Sequence, residues 1–194
     1  MKAIGGIRIG VLFLSLSFTL LTLAFLSYAL NQAVSYDLDL VYDFQFLRKL
    51  LFWSYAILGL AGRLILAPME RTGKKIVTST VCLTCGILST LTGSLFYAFL
   101  LFLASEDLLL LSLRHPAFSD AALLRTTRFA RVFLYGSIPV ALVTFFLAVY
   151  TGQWWLLAVL PINQILCCLF YLSSLAKLRE SIQVQLIESE DLSF

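Results

Sequence analysis

The sequence predicts an all-α fold: a polytopic membrane helix bundle of about five transmembrane helices plus an interfacial basic amphipathic segment. Of its 194 residues, 60% are hydrophobic and only 13% are charged, whereas soluble domains average about 45–50% apolar and about 25% charged residues. The apolar residues also cluster in runs close to the ~20 residues that a helix needs to cross a bilayer. We therefore expect a protein integral to a membrane, with one transmembrane domain at 1–180 and a polar, acidic tail at 181–194.

The first predicted span, residues 9–30, is an uncharged run behind a short basic N-terminus. The triplet Ser27-Tyr28-Ala29 resembles a signal-peptide cleavage site, so a removable signal peptide is the alternative to a permanent anchor. The apolar run exceeds the ~7–15 residues of a signal-peptide core, which favours the anchor.

The next segment, residues 31–46, is predicted to be a polar loop on the membrane surface. It contains Asp37, Asp39 and Asp43, whose spacing suggests calcium as an alternative. The glycine and the bidentate glutamate of an EF-hand loop are missing, which favours a solvated loop.

The second predicted span, residues 50–67, contains Arg63 and ends before Pro68. An ionisable residue within a span is a candidate functional site, because a charge at the bilayer centre costs about 2.5–3.5 kcal/mol on insertion scales. Arg63 is close to the basic residues after Pro68, so we expect its long stem to snorkel to the headgroups. A buried binding site is the alternative.

The third predicted span, residues 76–104, is uncharged and forms the centre of the expected bundle. Its first part carries small residues at helical spacing, which favour close helix packing in lipid. These are Thr78, Cys82, Gly86, Ser89 and Gly93. A hairpin or re-entrant element over 76–113 is the alternative to a single crossing.

The fourth predicted span, residues 132–150, follows a basic segment that begins near Ser119 or Asp120. Arg125, Arg128 and Arg131 recur there at three-residue steps. Such a segment is typical of an interfacial helix, and its arginines are candidate ligands for anionic lipid headgroups.

A turn at Thr151-Gly152-Gln153 predicts an antiparallel hairpin between this helix and the fifth span, residues 154–175, which Trp154 and Trp155 open. Near its midpoint we expect Pro161, Asn163 and Gln164. Proline and two amides inside a span, opposite Pro139 in the preceding helix, are a candidate mid-membrane binding site. Helix-to-helix hydrogen bonds are the alternative role of the amides.

The CxxC of Cys82 and Cys85 could act as a redox pair. The predicted loops contain no relay cysteine, so we interpret the cysteines as small packing residues. His115 is the only histidine, and the sequence predicts no metal site, no cofactor and no catalytic group. Nor does any acidic residue fall within a predicted span, which argues against proton- or sodium-coupled transport.

The basic residues leave the orientation open. Each terminal hairpin fits with both ends in the cytoplasm, but a single central crossing conflicts with that arrangement. Three functions remain. The first is a non-catalytic accessory subunit that packs against other membrane proteins. The second is a small transporter or lipid-handling protein, and the third is a membrane thiol–quinone oxidoreductase. The expected partners are thus the lipid bilayer and other membrane subunits, with anionic lipid as a further candidate. Nucleic acid is not expected, because the net charge is only +3.

Overall fold

The computed structural model describes residues 2–33, 38–68, 73–113, 121–153, 156–157 and 159–191. This part of the chain forms six α-helices: α1 Lys2–Ala33, α2 Leu38–Leu66, α3 Gly73–Leu91, α4 Leu95–Leu113, α5 Ala121–Thr151 and α6 Val159–Asp191. The predicted all-helical membrane bundle is therefore confirmed as a fold class. Segments long and apolar enough to cross a membrane lie at Gly6–Leu30, Gln45–Leu66, Ala121–Thr151 and Val159–Ile182.

The helices are arranged as three consecutive hairpins, α1–α2, α3–α4 and α5–α6. Helix α1 also packs against α6, and α2 packs against α3. The largest core cluster has residues from all six helices, most of them from α1, α4, α5 and α6, and it includes Leu14, Leu110, Leu134 and Leu175. Burial of these side chains inside the bundle, rather than helix propensity, holds the hairpins together.

Glycines let α1 and α2 approach each other closely. A methyl group added to Gly10 would lie 2.7 Å from Cγ of Leu66, and one added to Gly62 would lie 2.9 Å from Cγ of Leu14. Neither position has room for a side chain. Close backbone approach through small residues is a common way of packing helices in lipid.

The single span expected at 76–104 is wrong, and the hairpin alternative over 76–113 describes the structure. Helix α3 ends in a Schellman motif, in which the amide of Ser94 donates to the carbonyl of Ser89 at 2.9 Å and that of Gly93 donates to Thr90 at 3.2 Å. Gly93 has a φ of 80°, which glycine adopts without steric cost. The carbonyl of Ser94 then accepts the amide of Ala98 at 3.0 Å, and α4 starts there.

The basic segment and the fourth span form one continuous helix, α5, and the hairpin with α6 is confirmed because the two helices pack together. The boundaries of the fifth span are wrong: α6 begins at Val159. Pro161 therefore lies in its first turn and not near the midpoint of a span. Proline is tolerated there because the amides of the first turn have no intrahelical partner.

The polar loop expected at 31–46 is also wrong over most of its length. Helix α1 continues to Ala33 and α2 begins at Leu38, so Asp39 and Asp43 have helical backbones. The tail expected at 181–194 is helical as far as Asp191. Other predicted positions lie outside the described residues: Asp37, His115, Ser119, Asp120, Trp154 and Trp155.

Candidate functional site

Arg63 lies at the centre of a buried polar network. The expectation that it snorkels is wrong, because its relative exposure is 0%. Its guanidinium Nη2 donates to Oε1 of Glu106 at 2.6 Å, and Nε donates to Oγ of Ser79 at 3.0 Å. A third bond runs from Nη1 to the carbonyl of Gly59 at 3.1 Å. Because all three guanidinium nitrogens form hydrogen bonds inside the protein, the side chain does not extend toward the headgroups.

Small residues make room for the guanidinium. A methyl group added to Gly59, one turn before Arg63, would lie 2.9 Å from Nη1. Ser79 of α3 and Ser105 of α4 exchange side-chain-to-backbone hydrogen bonds of 2.9 Å in both directions. These bonds hold α3 and α4 close together beside the arginine, and they satisfy the serine hydroxyls in an apolar interior.

Glu106 is the counter-ion of Arg63. The sequence places it outside the predicted spans, and the fold nevertheless buries it inside the bundle. It is on α4, just after the end of the span expected at 76–104, and it is only 6% exposed. Tyr55 Oη donates to the same Oε1 at 2.7 Å. Tyr171 Oη donates to the backbone carbonyl of Glu106 at 3.3 Å.

Aromatic rings and a serine join α1 to this network. Phe18 stacks on Tyr171 with 3.8 Å between ring centroids and contacts Tyr55 edge to face. Ser17 donates to the carbonyl of Tyr55 at 2.9 Å. The network therefore connects α1, α2, α3, α4 and α6, and it includes members of all three hairpins.

One atom of the network is left without a partner. Oε2 of Glu106 is buried and accepts no hydrogen bond from the described residues. Buried carboxylate oxygens are nearly always paired with protein or water. This oxygen is therefore an acceptor of the network whose hydrogen-bonding capacity is unused.

A cavity of about 720 Å³ extends from Glu106 toward the N-terminal part of α2. At one end its lining side chains are fully buried, as Phe18 and Tyr171 are. At the other end Leu91 is 65% exposed, and Trp53 and Phe99 are both 38% exposed. The cavity thus has a closed floor at the ion pair and an open mouth beside the turn between α3 and α4.

Two basic residues stand at the mouth. Arg48 places its guanidinium 5.2 Å from the ring centroid of Tyr28, in a cation–π contact. Lys49 is exposed, and both residues line the cavity. The walls between mouth and floor are apolar and aromatic, as is typical of sites for small amphipathic molecules.

The three candidate site residues of the fifth span lie in two different environments. Pro161 and Gln164 line the cavity. Asn163 instead donates through Nδ2 to the carbonyl of Phe133 on α5 at 3.0 Å. It therefore holds α6 against α5, which is the packing role considered for the amides.

The three arginines of α5 separate as well. Arg125 and Arg128 are exposed and border a cleft of about 540 Å³ on the surface of this helix. Arg131 is half-buried and forms a two-bond ion pair with Asp107 of α4. Of the three, Arg125 and Arg128 are thus the ones whose side chains are exposed, and their role as ligands for lipid headgroups stays a prediction.

The cysteines are free thiols. Cys82 is half-buried and Cys85 exposed on α3, and neither lines the cavity. Cys167 and Cys168 do line it, and the thiol of Cys167 donates to the carbonyl of Ala130. Within the described residues, His, Cys, Asp and Glu form no group of three or more that could hold a metal ion.

Sequence reasoning identified Arg63 but missed its partner Glu106. The signal that could have found it is the apolar run that resumes at Leu108–Leu113 directly after Ser105-Glu106-Asp107. A pair of acids inside such a run indicates buried carboxylates with basic partners. Comparisons with protein-family models, curated proteins and solved structures gave no match.

Proposed function

We propose that this multipass membrane protein binds an apolar or amphipathic molecule from the bilayer and acts in lipid handling or small-molecule transport. The observation that carries the proposal is the cavity that leads from the basic mouth to Glu106. Its volume falls within the ~300–1,000 Å³ of typical ligand sites. Its apolar walls suit a hydrocarbon chain or ring system.

The mouth favours an end group with negative charge or an accepting oxygen. Arg48 and Lys49 lie close to the start of the Gln45–Leu66 segment, at the level expected for headgroups. Near an anionic surface each basic residue contributes about 1 kcal/mol to attraction. A molecule whose polar end lies at the mouth would place its apolar body in the cavity.

The hypothesis of an accessory subunit stays a prediction. One of the observations behind it, the small-residue face of α3, now supports it less strongly. The small-residue face of α3 was expected to receive another helix. Gly86 on that face already lies beside α4, because a methyl group added to it would lie 3.5 Å from the carbonyl oxygen of Ala98 and from Cβ of Leu101. The thiol–quinone hypothesis also stays a prediction, and Cys82 and Cys85 do not line the cavity.

A binding assay with a blocked cavity tests the proposal. The purified protein is placed in nanodiscs of zwitterionic lipid, and equilibrium binding of radiolabelled oleate is measured. Gln164→Trp fills the cavity, because Gln164 lines it. Leu166→Trp is the matched control on the same helix, since Leu166 is 38% exposed and does not line the cavity.

We expect saturable binding to the wild type and to Leu166→Trp, and a loss of at least about tenfold in affinity for Gln164→Trp. Replacing both Arg48 and Lys49 by Gln should lower the binding affinity for oleate more than the affinity for an uncharged molecule with the same chain. Equal binding to the two tryptophan variants would overturn the proposal.

A further inference from the structure

We infer that the floor of the cavity is a binding site for a neutral hydroxyl group, so that the ligand is an apolar alcohol held by Glu106. This inference rests on the proposed function and specifies the substrate class. It depends on a different atom from the mouth, the unpartnered Oε2 of Glu106. That carboxylate lines the cavity and its side chain is only 8% exposed.

The hydrogen-bond donors of the network that line the cavity, the hydroxyl groups of Tyr55 and Tyr171, are already used. The guanidinium of Arg63 uses one N–H group of each nitrogen, Nε, Nη1 and Nη2, for Ser79, Gly59 and Glu106. Its two remaining N–H groups are not offered to a ligand, because Arg63 does not line the cavity. Tyr55 donates its hydroxyl hydrogen to Oε1. Among the described residues of the network, the buried side-chain atom left without a hydrogen-bond partner is therefore an acceptor. A ligand that brings only an acceptor has no donor there to bond with.

The charge balance of the floor selects a neutral donor. Arg63 and Glu106 cancel each other, and the tyrosines and serines around them are uncharged. An ammonium group would leave one excess positive charge in apolar surroundings, which is costly. A carboxylate or phosphate would place a second negative charge against Oε2. A hydroxyl group completes the hydrogen bonding without adding charge.

The surrounding side chains fit the rest of such a molecule. Phe18, Leu103 and Leu134 line the cavity and are buried. They offer an alkyl chain or fused rings only apolar contacts. The shared chemistry is a hydroxyl on a hydrocarbon body, as in a long-chain alcohol, a polyprenol or a sterol.

A pair of matched ligands tests the inference on the unmodified protein. Oleyl alcohol has the hydroxyl, and its methyl ether has the same chain without a donor. Both are measured in the nanodisc assay described above. From the free energy of pairing a buried acceptor, we expect the alcohol to bind about 5- to 150-fold more tightly than the ether.

A double variant tests whether the preference for the alcohol depends on the carboxylate of Glu106. Arg63→Met with Glu106→Leu removes the acceptor and its counter-ion together, so no unpaired charge stays buried. We expect alcohol and ether to bind this variant within about twofold of each other. A preference for the alcohol that survived in the folded variant would overturn the inference.

The outcomes separate this inference from the proposed function. If alcohol and ether bind the wild type equally, and Gln164→Trp abolishes both, the cavity is a ligand site but the hydroxyl site is refuted. A water molecule that satisfies Oε2 would give that same result. If the alcohol, the ether and oleate all bind Gln164→Trp and Leu166→Trp equally, the proposed function fails as well. A sterol and its methyl ether, measured in the same way, distinguish ring systems from chains.

Discussion

At the scale of single residues, stability should depend on keeping Arg63 and Glu106 as a pair. Removing one partner leaves an uncompensated buried charge, which costs about 3–5 kcal/mol. We expect Arg63→Met or Glu106→Leu alone to lower the free energy of unfolding by about that amount. Tryptophan fluorescence during denaturation in detergent micelles measures it. The double variant Arg63→Met/Glu106→Leu should recover most of the loss. Glu180→Ala breaks the exposed Lys177–Glu180 pair and should cost less than about 1 kcal/mol. Single and double variants of equal instability would contradict this account.

The sequence alone singled out Arg63, because a charge in an apolar run is conspicuous. Its burial could not be predicted, because that depends on Glu106, which is 43 residues away in the chain and joins it only when α2 and α4 pack.

At the scale of elements, the turn between α3 and α4 depends on one glycine. Gly93 has a positive φ, which costs other residues about 1–2 kcal/mol. Gly93→Val should therefore lower the free energy of unfolding by at least about 1 kcal/mol, in the same micelle assay. Gly136→Ala is a suitable control, because Gly136 lies within α5 and a methyl group there meets nothing within 4 Å. An unchanged stability of Gly93→Val would show that the turn does not require this conformation.

Helix existence was well predicted, because long apolar runs are distinct in sequence. The break at Gly93 was missed, since a glycine in a small-residue run is equally typical of close helix packing and of a helix end. The loop predicted at 31–46 is wrong, because its three aspartates suggested a solvated loop although apolar residues lie between them.

At the scale of the whole molecule, the hairpin of α3 and α4 makes one orientation compatible with the positions of most basic residues. When these two helices return the chain to the side from which it entered, most basic flanks come to lie on one side. These are Lys2, Arg8, Lys74, Lys75, Arg125, Arg128, Lys177 and Arg179. Arg48 and Lys49 lie on the other side. We predict that the first group faces the cytoplasm and that the mouth of the cavity faces away from it. In a background without cysteines, Ser94→Cys should react with an impermeant maleimide from the non-cytoplasmic side of sealed vesicles. Glu180→Cys should react only after permeabilisation. Labelling of both positions from the same side would contradict this arrangement.

The long separation of Arg63 and Glu106 along the chain has a consequence for biogenesis. Ribosomes add about 5–20 residues per second, so the 43 residues between the two positions correspond to about 2–9 seconds of synthesis. During that interval Glu106, the partner of the arginine in the folded protein, has not yet been synthesised. The nascent first hairpin should therefore stay beside the insertion machinery, where water or a chaperone solvates the guanidinium, and leave for the bilayer only after α4 has emerged.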